Sequence, residues 1–115
     1  MKNREYGDYI EGIITSVNDI EEFTKGMDFD DFIRDRKTVF AVIRGMEVIG
    51  EAAKHIPNSA RNKYPGIPWK DMTAMRDKIT HEYFGVNLKV IWKTAKEDIP
   101  QLKPLVQNML KDLGE

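Results

Sequence analysis

Cysteine is absent from the 115 residues, which excludes disulfide staples and thiolate metal sites. Histidine is almost absent: His55 and His81 stand 26 positions apart, a poor basis for a metal site without thiolates to help them. There is no glycine-rich phosphate loop, no HExxH, no EF-hand loop and no Glu-x-x-His pair of the di-iron type, so no metal and no cofactor is expected. No apolar run approaches the roughly 20 residues that cross a bilayer. The opening MKNREYGDYI lacks the apolar block of a secretory signal. A cytoplasmic protein with no membrane partner is the expectation. No segment shows the period-two alternation of a strand, and there is no internal repeat.

What is present is charge, unevenly distributed. The chain is 41% hydrophobic and 32% charged with a net charge of −1, the composition of a globular protein. Residues 5–31 hold nine acidic side chains against one lysine, whereas residues 32–96 hold thirteen Lys/Arg against six Asp/Glu. The middle of the chain can therefore attract a polyanion, with moderate and strongly salt-dependent affinity. The length fits one domain over residues 1–115.

Helical periodicity runs throughout. Tyr6, Ile10, Ile13, Val17 and Ile20 repeat at steps of four and three, with an expected end near Gly26. Asp28 is placed to cap a second helix in which Val39, Val42, Met46, Ile49, Ala53 and Ile56 continue the pattern until Pro57. PNSARNKYPGIP forms an elbow with one short turn around residues 59–64. Pro68 opens a third helix with Trp69, Met72, Met75 and Ile79 inward and Gly85 as its terminator. Asn87 caps a fourth, with Leu88, Ile91, Ala95, Ile99, Leu102, Val106, Met109 and Leu113 inward, which Pro100 and Pro104 should kink or divide. The fold expected is all-α, an antiparallel up-and-down bundle of four to five helices. A core this small leaves a stripe unfilled, and the regular stripe of residues 39–56 points to a homodimer formed helix to helix. His55 is expected to cap the second helix at the negative end of its dipole. Trp69 and Trp92 fall on apolar stripes and read as core.

One stretch invites a chemical question: MRDKITHEYFGVNLK, residues 75–89, contains R-x4-H-x-Y. On a regular helix at about 100° per residue, Arg76 and Tyr83 share a face, while His81 points about 140° from Arg76. The arginine and the histidine then meet only if the helix end frays, the arginine wraps round, or a second subunit completes the site. Chemically the set suffices for metal-free RNA cleavage. An imidazole takes a proton from a ribose 2′-OH, and a guanidinium pairs with the phosphate as its charge grows. Asp77 is placed to orient either group. Lys78, Arg61, Lys63 and Lys70 are candidate RNA backbone contacts. By spacing alone the same residues also fit a salt-bridged helix surface.

The same stretch, with the upstream IRGMEVIGEAAKHIP and the downstream IWKTAKEDIPQL, resembles the HepT-like branch of the HEPN superfamily across nearly the whole chain. The resemblance implies a dimeric all-α bundle and a ribonuclease toxin of a prokaryotic toxin–antitoxin pair. It also implies a partner, a minimal nucleotidyltransferase of the MNT type that binds the toxin and adenylylates its tyrosine. Carried onto this chain, the catalytic arginine is Arg76, the histidine His81, the polar residue after the arginine Asp77, and the modified tyrosine Tyr83. Asp77 stands where many relatives have Asn, and a carboxylate beside a phosphate opposes the chemistry unless a cation neutralises it. The reading from a different class is a helical subunit that binds a nucleotidyltransferase or a nucleotide and cuts nothing.

Overall fold

The computed structural model describes residues 3–81 and 87–114, with side chains from Tyr6 onward. The first stripe forms α1 (Asn3–Thr24), and its Ile10, Ile13, Val17 and Ile20 are fully buried. The helix ends as expected: the buried Thr24 hydroxyl donates to the Ile20 carbonyl at 2.8 Å, and Gly26 turns the chain at φ +76°. That left-handed conformation is one glycine adopts without a Cβ penalty.

Asp28 caps the next segment reciprocally. The Asp31 N–H donates to Asp28 Oδ1 at 2.8 Å, and the Asp28 N–H donates to Asp31 Oδ2 at 3.2 Å. The single helix expected from here to Pro57 is instead two, α2 (Phe29–Arg34) and α3 (Arg36–Lys54). Asp35 leaves helical geometry at φ −104°, ψ 88°, and its carboxylate accepts from the Thr38 N–H at 3.1 Å. That bond restarts the helix and holds the Asp35 carboxyl below the usual range. Because the chain redirects there, Phe32 is buried and packs on Trp92, with ring centroids 5.1 Å apart.

The elbow holds α4 (Asn58–Arg61), shorter than the turn read from sequence. Tyr64 then ties the elbow to the far end of the chain, its hydroxyl donating to Asp112 Oδ2 at 2.7 Å. This bond to a carboxylate pushes the phenol up to about 12. α5 (Trp69–His81) follows Pro68, with Trp69, Met72 and Ile79 buried and Met75 half-buried. Gly85 lies outside the described residues. Asn87 caps α6 (Leu88–Lys93) by accepting from the Lys89 and Val90 N–H groups.

The expected interruption near Pro100 takes the form of a π-helical turn, Thr94–Asp98, before α7 (Ile99–Leu113). Two consecutive four-residue steps, from Ile91 to Ala95 to Ile99, would drift about 80° around a regular α-helix. The wider turn absorbs that drift, with the Ile99 N–H donating to the Thr94 carbonyl, so all three residues stay buried. It also accommodates Pro100, which lacks the N–H for the ordinary ladder. Pro104 remains inside α7.

The result is an all-α bundle, with no strand among the described residues. The long helices pack in the order α5 on α3, α3 on α1 and α1 on α7. Val42, Met46, Ile49 and Ala53 of α3 are fully buried inside this arrangement. The stripe assigned to a dimer interface is therefore already covered by α1 and α5 of the same chain. A pairing of two copies must use another surface. None of the described helices is long and apolar enough to cross a membrane. Between α5 and the α6–α7 segment lies a groove of about 680 Å³, lined in part by Met72, Met75, Ile79 and Leu105.

Two glycines let α3 sit close to its neighbours. A Cβ on Gly50 would collide with Arg76 Cβ and lie 2.8 Å from the Met72 carbonyl oxygen, both on α5. A Cβ on Gly45 would meet Cγ1 and Cδ1 of the Ile20 side chain, at 2.9 and 3.0 Å, with the nearest backbone atom, Ser16 O, at an ordinary 3.9 Å. The first obstacle is backbone and branch point; the second can rotate. Gly50→Ala is therefore expected to destabilise by about 1–3 kcal/mol despite the better helix propensity of alanine. Gly45→Ala should cost clearly less. Thermal unfolding followed by circular dichroism checks this, and equal melting temperatures for Gly50→Ala and the unmutated protein would refute the close-contact account.

Candidate active site

The contact at Gly50 determines what surrounds Arg76. Where α3 and α5 touch, the residue after Gly50 is Glu51, and its Oε1 lies 3.1 Å from Arg76 Nη2. One turn further along α3, Lys54 Nζ stands 2.6 Å from Asp77 Oδ1, and Arg76 Nη1 is 3.6 Å from the same oxygen. Two cations thus face two carboxylates across the two helices.

The Lys54 bond is the largest cause holding the Asp77 carboxyl below the usual aspartate value, with Arg76 adding to it. The carboxylate that would oppose a phosphate is therefore neutralised mainly by Lys54. Arg76, its side chain 32% exposed, keeps most of its five N–H donors for other partners.

His55 has a different role from the one read in the sequence. It does sit at the C-cap of α3, but its ring stacks on Tyr9 of α1, centroids 4.6 Å apart and planes 6° from parallel. Its Nε2 lies 3.2 Å from Glu51 Oε2. The carbonyls at the end of α3 and just beyond it are bonded instead by Arg61, whose Nε donates to Ile56 O at 2.9 Å and Nη2 to Ala53 O at 2.6 Å. Arg61, named from sequence as a backbone contact for RNA, is thus engaged as a clasp on α3. Lys63, Lys70 and Lys78 are exposed.

His81 is the last residue of α5 and is exposed. Among the described residues its side chain has no ion pair or hydrogen bond, so within one subunit the imidazole does not join Arg76 and Asp77. Five residues on a helix place it about 7.5 Å along the axis and about 140° around it from Arg76. Tyr83 lies outside the described residues. Both tryptophans behave as core: Trp69 is buried with Nε1 donating to Tyr64 O at 3.1 Å, and Trp92 packs against the core.

The structure adds Glu51 and Lys54 to the residues singled out from sequence and brings His55 beside them. The Glu51–His55 spacing of four is a readable helix pair. Nothing local signals that this pair faces Arg76, since only the tertiary contact at Gly50 brings them together. Among the described residues, no group of three His, Asp or Glu side chains is arranged to hold a metal ion.

Comparison with known proteins places the chain itself in a family. A family model described as Ribonuclease HepT-like matches residues 13–109. A protein of Thermococcus cleftensis named "Probable ribonuclease HepT" is 52% identical over 108 residues, covering 94% of this chain and 98% of its own. One of Methanocaldococcus jannaschii, named as an RNase, is 45% identical over 115 residues, covering 100% and 99%. Another named as an RNase, from Caldanaerobacter subterraneus, is 42% identical over 103 residues, covering 90% and 92%. No solved structure matches the chain.

Asp77 gives a pH-dependent consequence. Its pKa is lower in the folded protein than in the unfolded chain, so its ion pair stabilises the fold at pH values above the ordinary 3.8. That contribution disappears as pH falls through the lowered value. Asp77→Asn is expected to be slightly less stable than the unmutated protein at pH 7, with the difference closing in acid. Urea unfolding at several pH values measures this; a gap that does not narrow as pH falls below the ordinary aspartate value would show that the ion pair is not its source.

Proposed function

The chain belongs to the ribonuclease HepT-like family, and from that premise we propose that it is a metal-independent endoribonuclease toxin of a prokaryotic toxin–antitoxin pair. It acts in the cytoplasm as a homodimer, with RNA as substrate and a nucleotidyltransferase of the MNT type as its neutralising partner. The observation that carries this reading is that Arg76 and His81 both reach solvent from one helix yet diverge around it. Two copies related by a twofold axis bring the arginine of one to the histidine of the other, which a single copy does not do.

In the reaction, the imidazole of His81 takes the proton of a ribose 2′-OH, and the 2′ oxygen attacks the adjacent phosphorus. The bond to the 5′ oxygen breaks, that oxygen takes up a proton, and a 2′,3′-cyclic phosphate is left. Arg76 pairs with the non-bridging oxygens as charge accumulates on them. Asp77, neutralised by Lys54, orients Arg76 without adding net negative charge. Lys78, Lys63 and Lys70 contact the RNA backbone. Adenylylation of Tyr83 would add a bulky anion two residues along the chain from His81 and repel the phosphates of the substrate.

A second reading has one observation in its favour. The charges around Arg76 balance, two cations against two carboxylates, as suits a helical subunit that binds a nucleotidyltransferase or a nucleotide without cutting. Producing the chain alone in cells separates the two. The toxin reading expects growth arrest with loss of RNA, abolished by Arg76→Ala; harmless expression with tight complex formation favours the binding subunit. With purified protein in EDTA, Arg76→Ala and His81→Ala should each cut RNA about 100-fold more slowly or worse. Undiminished cleavage by His81→Ala removes His81 from the mechanism.

A further inference from the structure

We infer that Glu51 is a positioning residue for Arg76, itself braced by His55, and that the chain Tyr9–His55–Glu51–Arg76 fixes the guanidinium before substrate arrives. The inference rests on the proposed ribonuclease activity for its kinetic test alone. An arginine on a half-exposed helix face samples many rotamers, and a phosphate clamp must have its donors in place when charge develops. Here one Nη of Arg76 is fixed by Glu51 Oε1 at 3.1 Å. The carboxylate is in turn held from its other side, with Oε2 at 3.2 Å from His55 Nε2. The imidazole is set by its stack on Tyr9, 4.6 Å between centroids. Three helices, α1, α3 and α5, therefore contribute to the orientation of one side chain.

Geometry distinguishes this from a surface ion pair formed by chance. Gly50 brings the α3 backbone against Arg76 Cβ, so the arginine leaves α5 at the seam with α3, with the end of its side chain within reach of that helix. Glu51, the next residue, holds that end. Lys54 occupies Asp77 at 2.6 Å, so the neighbouring carboxylate competes less for the same guanidinium. Most of the arginine donors then remain for a ligand, held at a defined place.

The test compares Glu51→Ala, which removes the acceptor, with Glu51→Gln, which keeps a carbonyl oxygen toward Arg76. Glu47→Ala, one turn earlier on α3, controls for loss of a negative charge. Positioning predicts that Glu51→Ala lowers kcat on a single-stranded RNA about tenfold or more, with KM within about twofold. Glu51→Gln should recover most of that loss, Glu47→Ala should cut like the unmutated protein, and melting temperatures should stay within a few degrees. In ¹⁵N spectra the Arg76 Nε–Hε signal, assigned through Arg76→Lys, should be resolved in the unmutated protein and in Glu51→Gln, and broadened away in Glu51→Ala.

Unchanged kcat in Glu51→Ala overturns the inference. So does a fall in KM with kcat retained, which would make Glu51 a competitor of the phosphate, and so does a loss of activity matched by a loss of folded protein. If the unmutated protein cuts no RNA, the ribonuclease reading fails by itself. The Arg76 signal then still decides: persistence unchanged in Glu51→Ala overturns the positioning role.

Discussion

The close approach of α3 to α5 at Gly50 is the constraint from which the rest of the site follows. Helix backbones come this near only where one side lacks a Cβ, and here the opposing atoms are the Met72 carbonyl and the Arg76 Cβ. With that separation fixed, Glu51 and Lys54 fall within reach of Arg76 and Asp77. The pairs alternate in sign along the seam, so each cation meets a carboxylate from the other helix. Pairs this exposed contribute little to stability in themselves. Their significance is geometric, since they determine which donors of which cation remain available.

The helices were legible from the spacing of apolar residues, because burial of one face imposes a period that the side chains must follow. The caps at Asp28 and Asn87 were legible because a short acceptor just before an apolar stripe has few other uses. The break at Asp35 was not. No apolar residue falls between Ile33 and Val39, but Phe32 and Val39 stand seven apart, as on one continuous helix, and the bond to Thr38 that interrupts it uses residues that also fit a continuous one. The stripe from Val39 to Ile56 had the regularity of a coiled-coil seam, yet two neighbours within the same chain cover it. Periodicity reports that a face is buried and is silent about which helix buries it.

The site was legible in part for a related reason. Arg76 and Asp77 stood out through their motif, and the divergence of His81 from Arg76 followed from helix geometry alone. Glu51, Lys54 and His55 lay 21–26 residues upstream of Arg76 and Asp77, in a segment whose local features pointed to capping. His55 does stand at the end of α3, but the carbonyls there are served by Arg61. An arginine from the following elbow reached them first, leaving the imidazole to Tyr9 and Glu51. Which of two basic residues caps a helix depends on how the elbow folds back, and composition does not encode that.

The π-helical turn at Thr94–Asp98 bears on how this chain tolerates change. It lets the helix advance without rotating its inward residues out of the core, so Ile91 and Met109 serve one interior from opposite sides of it. Such a turn stores a counting rule: the number of residues between Asn87 and Pro100 sets the angle at which the last helix meets α1. Removal of one residue within the wide turn leaves a seven-residue step that an ordinary α-helix spans with about 20° of drift, whereas an added residue turns the remainder of the chain by about 100°. In this segment spacing is constrained more severely than side-chain identity.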